Sequence, residues 1–165
     1  MVRGMPDTAG LQRRKLRFET VDDALAEAER LVTAEREGRL GRAGNWSLGR
    51  TLGHLATWAS FAFDGYPTEV CAPLPVRVVL KMFRNRIIEQ GMTPGVKVGR
   101  VPGGTVGTEE LTPDEGLRRF RAAIVRLRTS APTAANPVFG RLTHDQWIKL
   151  NLRHAELHLG FQVPK

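Results

Sequence analysis

Residues 143–161 read THDQWIKLNLRHAELHLGF, and this stretch decides the fold. Thr143 and Gln146 stand at the spacing of a capping box and therefore predict the start of a helix. The apolar stripe that follows recurs at three- and four-residue spacing and comprises Trp147, Leu150, His154, Leu157, His158 and Phe161. His154 and His158 therefore project one above the other from the inward face, one helical turn apart.

Three more long helices are predicted by the same signals. Residues 20–38, 47–63 and 112–130 each begin with a Thr or Ser suited to an N-cap and continue with a helical apolar stripe. Residues 76–90, which mix apolar and basic side chains after two prolines, predict an accessory helix. No segment alternates in a way that predicts a sheet. We therefore predict an all-α fold, a four-helix bundle with a long crossover and one accessory helix.

The crossover is assigned to residues 91–111, which contain six glycines and two prolines. An irregular loop of this length inside one domain is usually functional or mobile, so we expect it to serve as a lid as well. The 165 residues, 41% of them apolar, have the size and composition of a single globular domain. We place that domain at residues 13–165, behind a flexible leader at residues 1–12.

Cysteine content and hydropathy indicate where the protein resides. Cys71 is the only cysteine, which excludes an intrachain disulfide and a multi-cysteine metal site. The polar N-terminal stretch lacks the apolar core of a signal peptide, and no apolar run approaches the roughly 20 residues that span a bilayer. We therefore expect a cytoplasmic protein with no membrane partner.

The chain is strongly basic, with a net charge of +8 and an isoelectric point near 10.7. Three explanations are compatible with this charge: a nucleic-acid-binding surface, affinity for small anionic substrates, or abundant arginine with no specific partner. The arginines are spread over several segments, and no dense basic tract is interleaved with aromatic residues. Nucleic acid is therefore the least favoured partner of the three.

A third histidine turns the pair on the last helix into a candidate metal site. His54 lies in the middle of the second predicted helix, which is apolar around much of its circumference and is therefore expected to be buried. Three imidazoles hold a metal while leaving an open coordination position, as catalytic sites do. Without a metal, each buried ring would need partners for two nitrogens in apolar surroundings. We predict His54, His154 and His158 as metal ligands; the alternative is ordinary core or cleft histidines.

Three other residues were considered for a site. His144 opens the last helix about 15 Å from His154, which predicts a surface or capping role. Glu156 lies two residues from each histidine of the pair, so it points away from an ion held there, unlike the glutamate of the zinc-protease motif. Cys71 has no activating base beside it and is predicted to be structural.

Several short motifs occur in an order and at spacings that resemble a known family. They are GNWSLG at 44–49, LGHLA at 52–56, PVFGRLT at 137–143 followed by Trp147, and RH at 153–154 followed by His158. Over about residues 14–162 the chain resembles the DinB-like (YfiT-like) metalloenzyme superfamily, and more closely a branch catalogued as a domain of unknown function. The resemblance implies a four-helix bundle with a crossover between helices two and three. It also implies a divalent metal on His54, His154 and His158.

The resemblance also carries an expectation about chemistry. Characterised relatives are often thiol-dependent transferases or isomerases, which implies that a low-molecular-weight thiol is activated at the metal. The chain departs from the family pattern at Leu157 and Asn136, where relatives often carry histidine. Neither departure removes a ligand of the triad, but both bear on the residues that support the ligands.

These observations lead to three functional hypotheses. The favoured one is a divalent-metal-dependent enzyme, a transferase or hydrolase, acting on a small electrophilic substrate. Zinc or nickel is the expected ion, with iron, manganese and copper as alternatives, although imidazole ligands suit zinc, nickel, iron and copper alike. The second hypothesis is a non-catalytic metal-stabilised or ligand-binding bundle, and the third a basic nucleic-acid-binding module. A homodimer is compatible with each. The sequence does not identify a general base; Asp64, Asn151 and the residues of the 91–111 loop are the candidate neighbours of the site.

Overall fold

Helices account for most of the regular structure. The computed structural model describes residues 12–70, 73–95 and 104–165. Within these residues the elements are α1 (Val21–Arg36), β1 (Leu40–Arg42), α2 (Leu48–Asp64), α3 (Leu74–Met82), α4 (Arg84–Gln90), α5 (Pro113–Thr129), α6 (His144–Leu159) and β2 (Gln162–Pro164).

The long helices α1, α2, α5 and α6 confirm the predicted helical bundle. Their starting points agree with the sequence because each is set by a local capping interaction. In α6 the Thr143 side chain accepts a hydrogen bond from the backbone of Gln146, whose own side chain accepts one from the Thr143 backbone. The same reciprocal pair joins Thr20 and Asp23 at the start of α1. Such contacts depend on four consecutive residues, so the sequence alone was sufficient to find them.

Helices α2 and α5 approach each other closely through glycines. Gly116 of α5 packs onto α2 so tightly that a β-carbon there would lie 2.7 Å from the carbonyl oxygen of Gly49. A β-carbon on Gly49 would overlap the backbone carbonyl of Leu111, at the end of the crossover. Small residues are therefore required on both sides of this contact. The contact holds the end of the crossover against the helix that carries His54.

A short antiparallel sheet is present, although the sequence analysis predicted none. Strand β1 pairs with β2 so that Leu40 lies opposite Pro164 and Arg42 opposite Gln162. Each strand has only three residues, which is too short for an alternating pattern to be recognised. The pairing ties the chain after α6 to the chain between α1 and α2.

The accessory helix also differs from its prediction. The expected single helix at 76–90 is divided into α3 and α4 at Phe83, whose backbone angles (φ −91°, ψ 6°) leave the helical region. No residue of α3 is fully buried, and its large apolar side chains other than the half-buried Leu80 are exposed, from 46% at Val76 to 76% at Met82. Neither α3 nor any other helix in the described residues combines the length and apolarity needed to cross a bilayer.

A buried ion pair fixes the segment before α1 to the back of α6. Arg153 and Glu156 are 3% and 7% exposed and pair at 2.8 Å. Both also bind the Phe18 backbone: Glu156 accepts from its N–H at 2.6 Å, and Arg153 donates to its carbonyl. Glu156, predicted to point away from the histidine pair, therefore joins α6 to the incoming chain. The predicted leader at residues 1–12 lies, except for Gln12, outside the described residues.

The glycine contact between α2 and α5 leads to a stability prediction. Gly49→Ala should lower the free energy of unfolding by about 2 kcal/mol, since overpacking against a rigid carbonyl outweighs the gain of up to about 1 kcal/mol in helix propensity. Urea denaturation followed by circular dichroism measures the change. Gly44→Ala is the matched control, because its β-carbon meets only the Phe161 ring, at 3.3 Å, which can shift. Equal stability of the two variants would contradict the conclusion that a small residue is required at position 49.

Candidate metal centre

The three predicted ligands come together where α2 passes α6. His54 projects from the middle of α2 and is buried, while His154 and His158 project from α6 and are half-buried. One ring nitrogen from each of the three lies within 4.8 Å of the others. The contact between Nε2 of His54 and Nε2 of His154 measures 3.3 Å. Residues 100 positions apart in the chain therefore contribute to one cluster.

The spacing of two of these nitrogens fits a bound ion. A tetrahedral ion with bonds of about 2.0–2.1 Å to nitrogen holds its ligand atoms about 3.3–3.4 Å apart. The 3.3 Å separation of the His54 and His154 nitrogens falls at this value. Three neutral nitrogen donors, with no thiolate or carboxylate in the group, suit a borderline divalent metal. The donor set therefore can hold a metal ion.

A backbone carbonyl fixes the orientation of the His54 ring. Nδ1 of His54 donates to the carbonyl oxygen of Val106 at 2.8 Å. Since that nitrogen carries the proton of the neutral ring, Nε2 presents its lone pair to the cluster. Trp58 donates to the same carbonyl through its indole N–H at 3.4 Å. The crossover thus supplies the outer hydrogen bond that metal-ligating histidines usually make.

The electrostatic environment keeps the three rings neutral. Burial, the largest effect, lowers the pKa of His54 to about 4 and the pKa of His158 to about 3. Burial together with the two neighbouring histidines lowers the pKa of His154 well below its usual value. Neutral imidazole is the form that binds metals, so at neutral pH no proton has to leave before an ion enters.

Two tryptophans stand against the histidines. Trp46 stacks on His158 with ring centroids 5.4 Å apart and an interplanar angle of 7°. Trp58 meets His154 edge-on at 5.8 Å. Arg50 lies 5.0 Å from the centre of the Trp46 ring and pairs with Glu110 at 3.3 Å. The rings limit the directions from which water reaches the cluster.

The histidines open into a cavity of about 570 Å³. Its described walls come from α2, α3, α4, α6, the segment around residues 136–139 and both ends of the crossover, residues 91–95 and 104–105. Both ends of the crossover thus border the cavity, and its role as a lid stays a prediction. Residues 96–103, which complete it, lie outside the described residues.

The other candidate residues have separate roles. His144 is half-buried, and its Nε2 bonds the carbonyl of Leu127 at 2.6 Å, so it caps the end of α5 rather than lying free on the surface. Asp64 is exposed and pairs with Arg126 at 2.9 Å, so it is not at the cavity. Asn151 does line the cavity. Cys71 lies outside the described residues.

Asn136, one of the two departures from the family pattern, organises the wall of the cavity. Its Oδ1 accepts from the backbone N–H groups of Val138 and Phe139, both at 2.9 Å. Its Nδ2 donates to the Tyr66 hydroxyl at 3.2 Å. These three bonds determine which way the amide faces. Leu157, the other departure, also lines the cavity.

Some of the residues that support the site were not predicted from the sequence. Val106 acts through its backbone carbonyl, which leaves no signature in residue type. Tyr66 follows the end of α2 and offered no periodic signal. Trp46 could have been found, because it stands in the GNWSLG motif immediately before the helix that carries His54.

Comparison with known families identifies the chain at the family level. The model of a family described as proteins of unknown function, DUF1569, matches residues 10–165. The chain therefore belongs to the DUF1569 family. Comparisons with curated proteins and with solved structures gave no match.

The position of the Val106 carbonyl leads to a prediction about metal affinity. Gly107 has a positive φ of 70°, and a β-carbon there would lie 2.7 Å from the Thr57 side chain. Gly107→Ala should therefore displace the neighbouring carbonyl and weaken zinc binding about 10- to 100-fold, the usual effect of losing an outer hydrogen bond. Competition with a chromophoric chelator measures this. Gly95→Ala is the control, since Gly95 shares a positive φ (85°) but no described atom would lie within 4 Å of a β-carbon there. Equal affinities in the two variants would refute the role of the carbonyl.

The lowered pKa of His54 predicts how the metal-free protein responds to acid. Between pH 6.5 and pH 4 the unfolded chain binds a proton at this residue while the folded chain does not, so stability falls as the pH falls. From pH 7 to pH 5 the loss due to His54 should be about 2 kcal/mol. Urea denaturation of chelator-treated protein tests this against His54→Asn, which should show a shallower pH dependence. The same slope in both proteins would contradict it.

Proposed function

We propose that this protein is a divalent-metal-dependent enzyme whose ion is held by His54, His154 and His158. The observation that carries the proposal is the convergence of three neutral ring nitrogens, within 4.8 Å of one another, beside a large cavity. Three protein ligands leave a coordination position open, which is the arrangement of catalytic rather than structural sites. Zinc or nickel is the proposed ion, with iron, manganese and copper as alternatives.

We also propose that the chain is a DinB-like (YfiT-like) protein. The order of the sequence motifs and the helical bundle support this assignment. Further support comes from the placement of the ligands, one on α2 and an i,i+4 pair on α6. From this assignment follows the proposed reaction class, a transfer or hydrolysis in which a low-molecular-weight thiol or water attacks a small electrophile.

The residues of this chain would contribute in three ways. His54 binds through Nε2 and is oriented by the Val106 carbonyl. All three imidazoles are uncharged, so a bound ion would keep its full charge and lower the pKa of a coordinated thiol or water. Trp46 and Trp58 pack against the ligands and limit the approach of water. Asn151 is the remaining candidate to position a reactant, since Asp64 is paired elsewhere.

A non-catalytic role for the ion is the second candidate, and one observation favours it. The ligands join α2 to α6, so a bound ion would cross-link two helices of the bundle and stabilise it whether or not chemistry takes place. The two roles differ in whether the fourth position accepts an added ligand. A nucleic-acid-binding role is disfavoured, because many surface arginines already pair with acidic side chains, among them Arg121 with Glu29.

Metal content is the first test of the proposal. Tag-free protein purified without chelator should contain close to one divalent ion per chain by elemental analysis, and His154→Ala should contain almost none. His144→Ala is the matched control, because it removes a histidine from the same helix outside the triad, and it should retain the ion. A parent protein that takes up no metal, even after incubation with zinc or nickel, would rule out the proposal.

A spectroscopic experiment separates catalysis from structural support. In cobalt-substituted protein, an added small thiol should produce a thiolate-to-cobalt charge-transfer band, because a three-histidine site has room for a fourth ligand. No spectral change at saturating thiol would indicate a closed structural site. Binding of the thiol to cobalt, together with turnover of one or more members of a panel of electrophiles, would support a catalytic role for the ion.

A further inference from the structure

The wall of the cavity has an unexpected composition for such a basic chain. No described residue that lines it is Asp, Glu, Lys or Arg. Aromatic and aliphatic side chains dominate, among them Trp46, Trp58, Tyr66, Phe139 and Phe161. Beyond the histidines, its polar side chains are uncharged amides and hydroxyls, such as those of Asn136 and Thr105. The lysines and arginines that give the protein its net positive charge are thus absent from the described wall.

Among the described residues, two arginines contact aromatic rings of this wall without lining the cavity: Arg50 contacts Trp46, and Arg13 contacts Phe161. Arg50 packs on the Trp46 ring and pairs with Glu110, and it does not line the cavity. A carboxylate entering the cavity would therefore lose water without gaining a cationic partner from the described wall. Such desolvation is costly, whereas an aromatic body would gain contact with the rings around it.

The wall also contains a rigid, neutral polar point. The Asn136 amide is held by two backbone N–H groups and donates to the Tyr66 hydroxyl. Burial raises the pKa of Tyr66, so its hydroxyl stays protonated. A neutral polar group on a ligand would find a hydrogen-bonding partner here, while an anionic group would meet no cationic side chain of the described wall.

We propose that the cavity selects a neutral substrate with an apolar, aromatic-sized body and discriminates against anionic molecules of the same shape. This inference rests on the proposed function, because it specifies the class of electrophile that the metal-bound thiol or water would attack. It disfavours one of the three explanations of the net charge, affinity for small anionic substrates. The described walls, rather than the net charge, determine the preference.

Metal-free protein provides the test, because without an ion the walls alone decide the outcome. We would compare 2-acetylnaphthalene with 2-naphthoate by equilibrium dialysis at neutral pH, since the two share a ring and a carbonyl but differ in charge. The neutral probe should bind at least about tenfold more tightly. Equal or tighter binding of 2-naphthoate, or no measurable binding of the neutral probe, would overturn the inference.

Two neighbouring residues of α3 localise the binding. Leu80 is half-buried and lines the cavity, whereas Val79 is 51% exposed and does not. Leu80→Asp should weaken binding of 2-acetylnaphthalene at least about tenfold, and Val79→Asp should change it less than about twofold. Leu80→Lys should reduce the preference for the neutral probe, because the added ammonium group would strengthen binding of the anionic 2-naphthoate. If Leu80→Asp behaves like Val79→Asp, the probe is not bound in this cavity.

The two proposals fail separately. If the parent protein takes up no metal but prefers the neutral probe, the enzyme proposal fails and the cavity remains a site for apolar ligands. If metal binds but the naphthoate is preferred in metal-free protein, the proposed function stands and the substrate class is wrong.

Discussion

Packing three imidazoles side by side, one buried and two half-buried, is the constraint on which the rest of the structure depends. Each ring has two nitrogens, and in apolar surroundings an unsatisfied one is costly. His54 meets this demand with the Val106 carbonyl on one side and the other histidines on the second. The crossover must therefore return to α2 at this point, and the close contact through Gly49 and Gly116 holds it there.

The parts of the fold that were predictable are those encoded by neighbouring residues. Thr20, Ser47, Thr112 and Thr143 each form their cap with a residue three positions on, so the starts of the long helices were visible in the sequence. The sheet could not be predicted, because its two strands have three residues each and lie far apart in the sequence. They come together only when the bundle has folded. The division of α3 from α4 at Phe83 also left no local signal, since Phe83 is neither a glycine nor a proline.

The candidate site was predictable to the same degree. The i,i+4 spacing of His154 and His158 can be seen within one helix. Adding His54 as a third ligand required the inference that it is buried in a different helix of the bundle. The carbonyl of Val106 and the Asn136–Tyr66 pair depend on how loops return to the bundle. Charge was the least informative property, because the arginines that produce +8 lie mainly on the surface while the described cavity wall is uncharged.

The separation of His54 from His154 by 100 residues bears on how the site is assembled. The α6 pair exists as soon as that single helix forms, whereas the third nitrogen arrives only when a long stretch of chain has closed on itself. Closing a loop of about 100 residues costs the unfolded chain about 4.7 kcal/mol of entropy when a covalent cross-link does it. An ion bound by all three rings would also close this loop, and it would likewise reduce the conformational entropy of the chain. Full coordination would thus report on the completed tertiary fold, and partial coordination on helix formation alone.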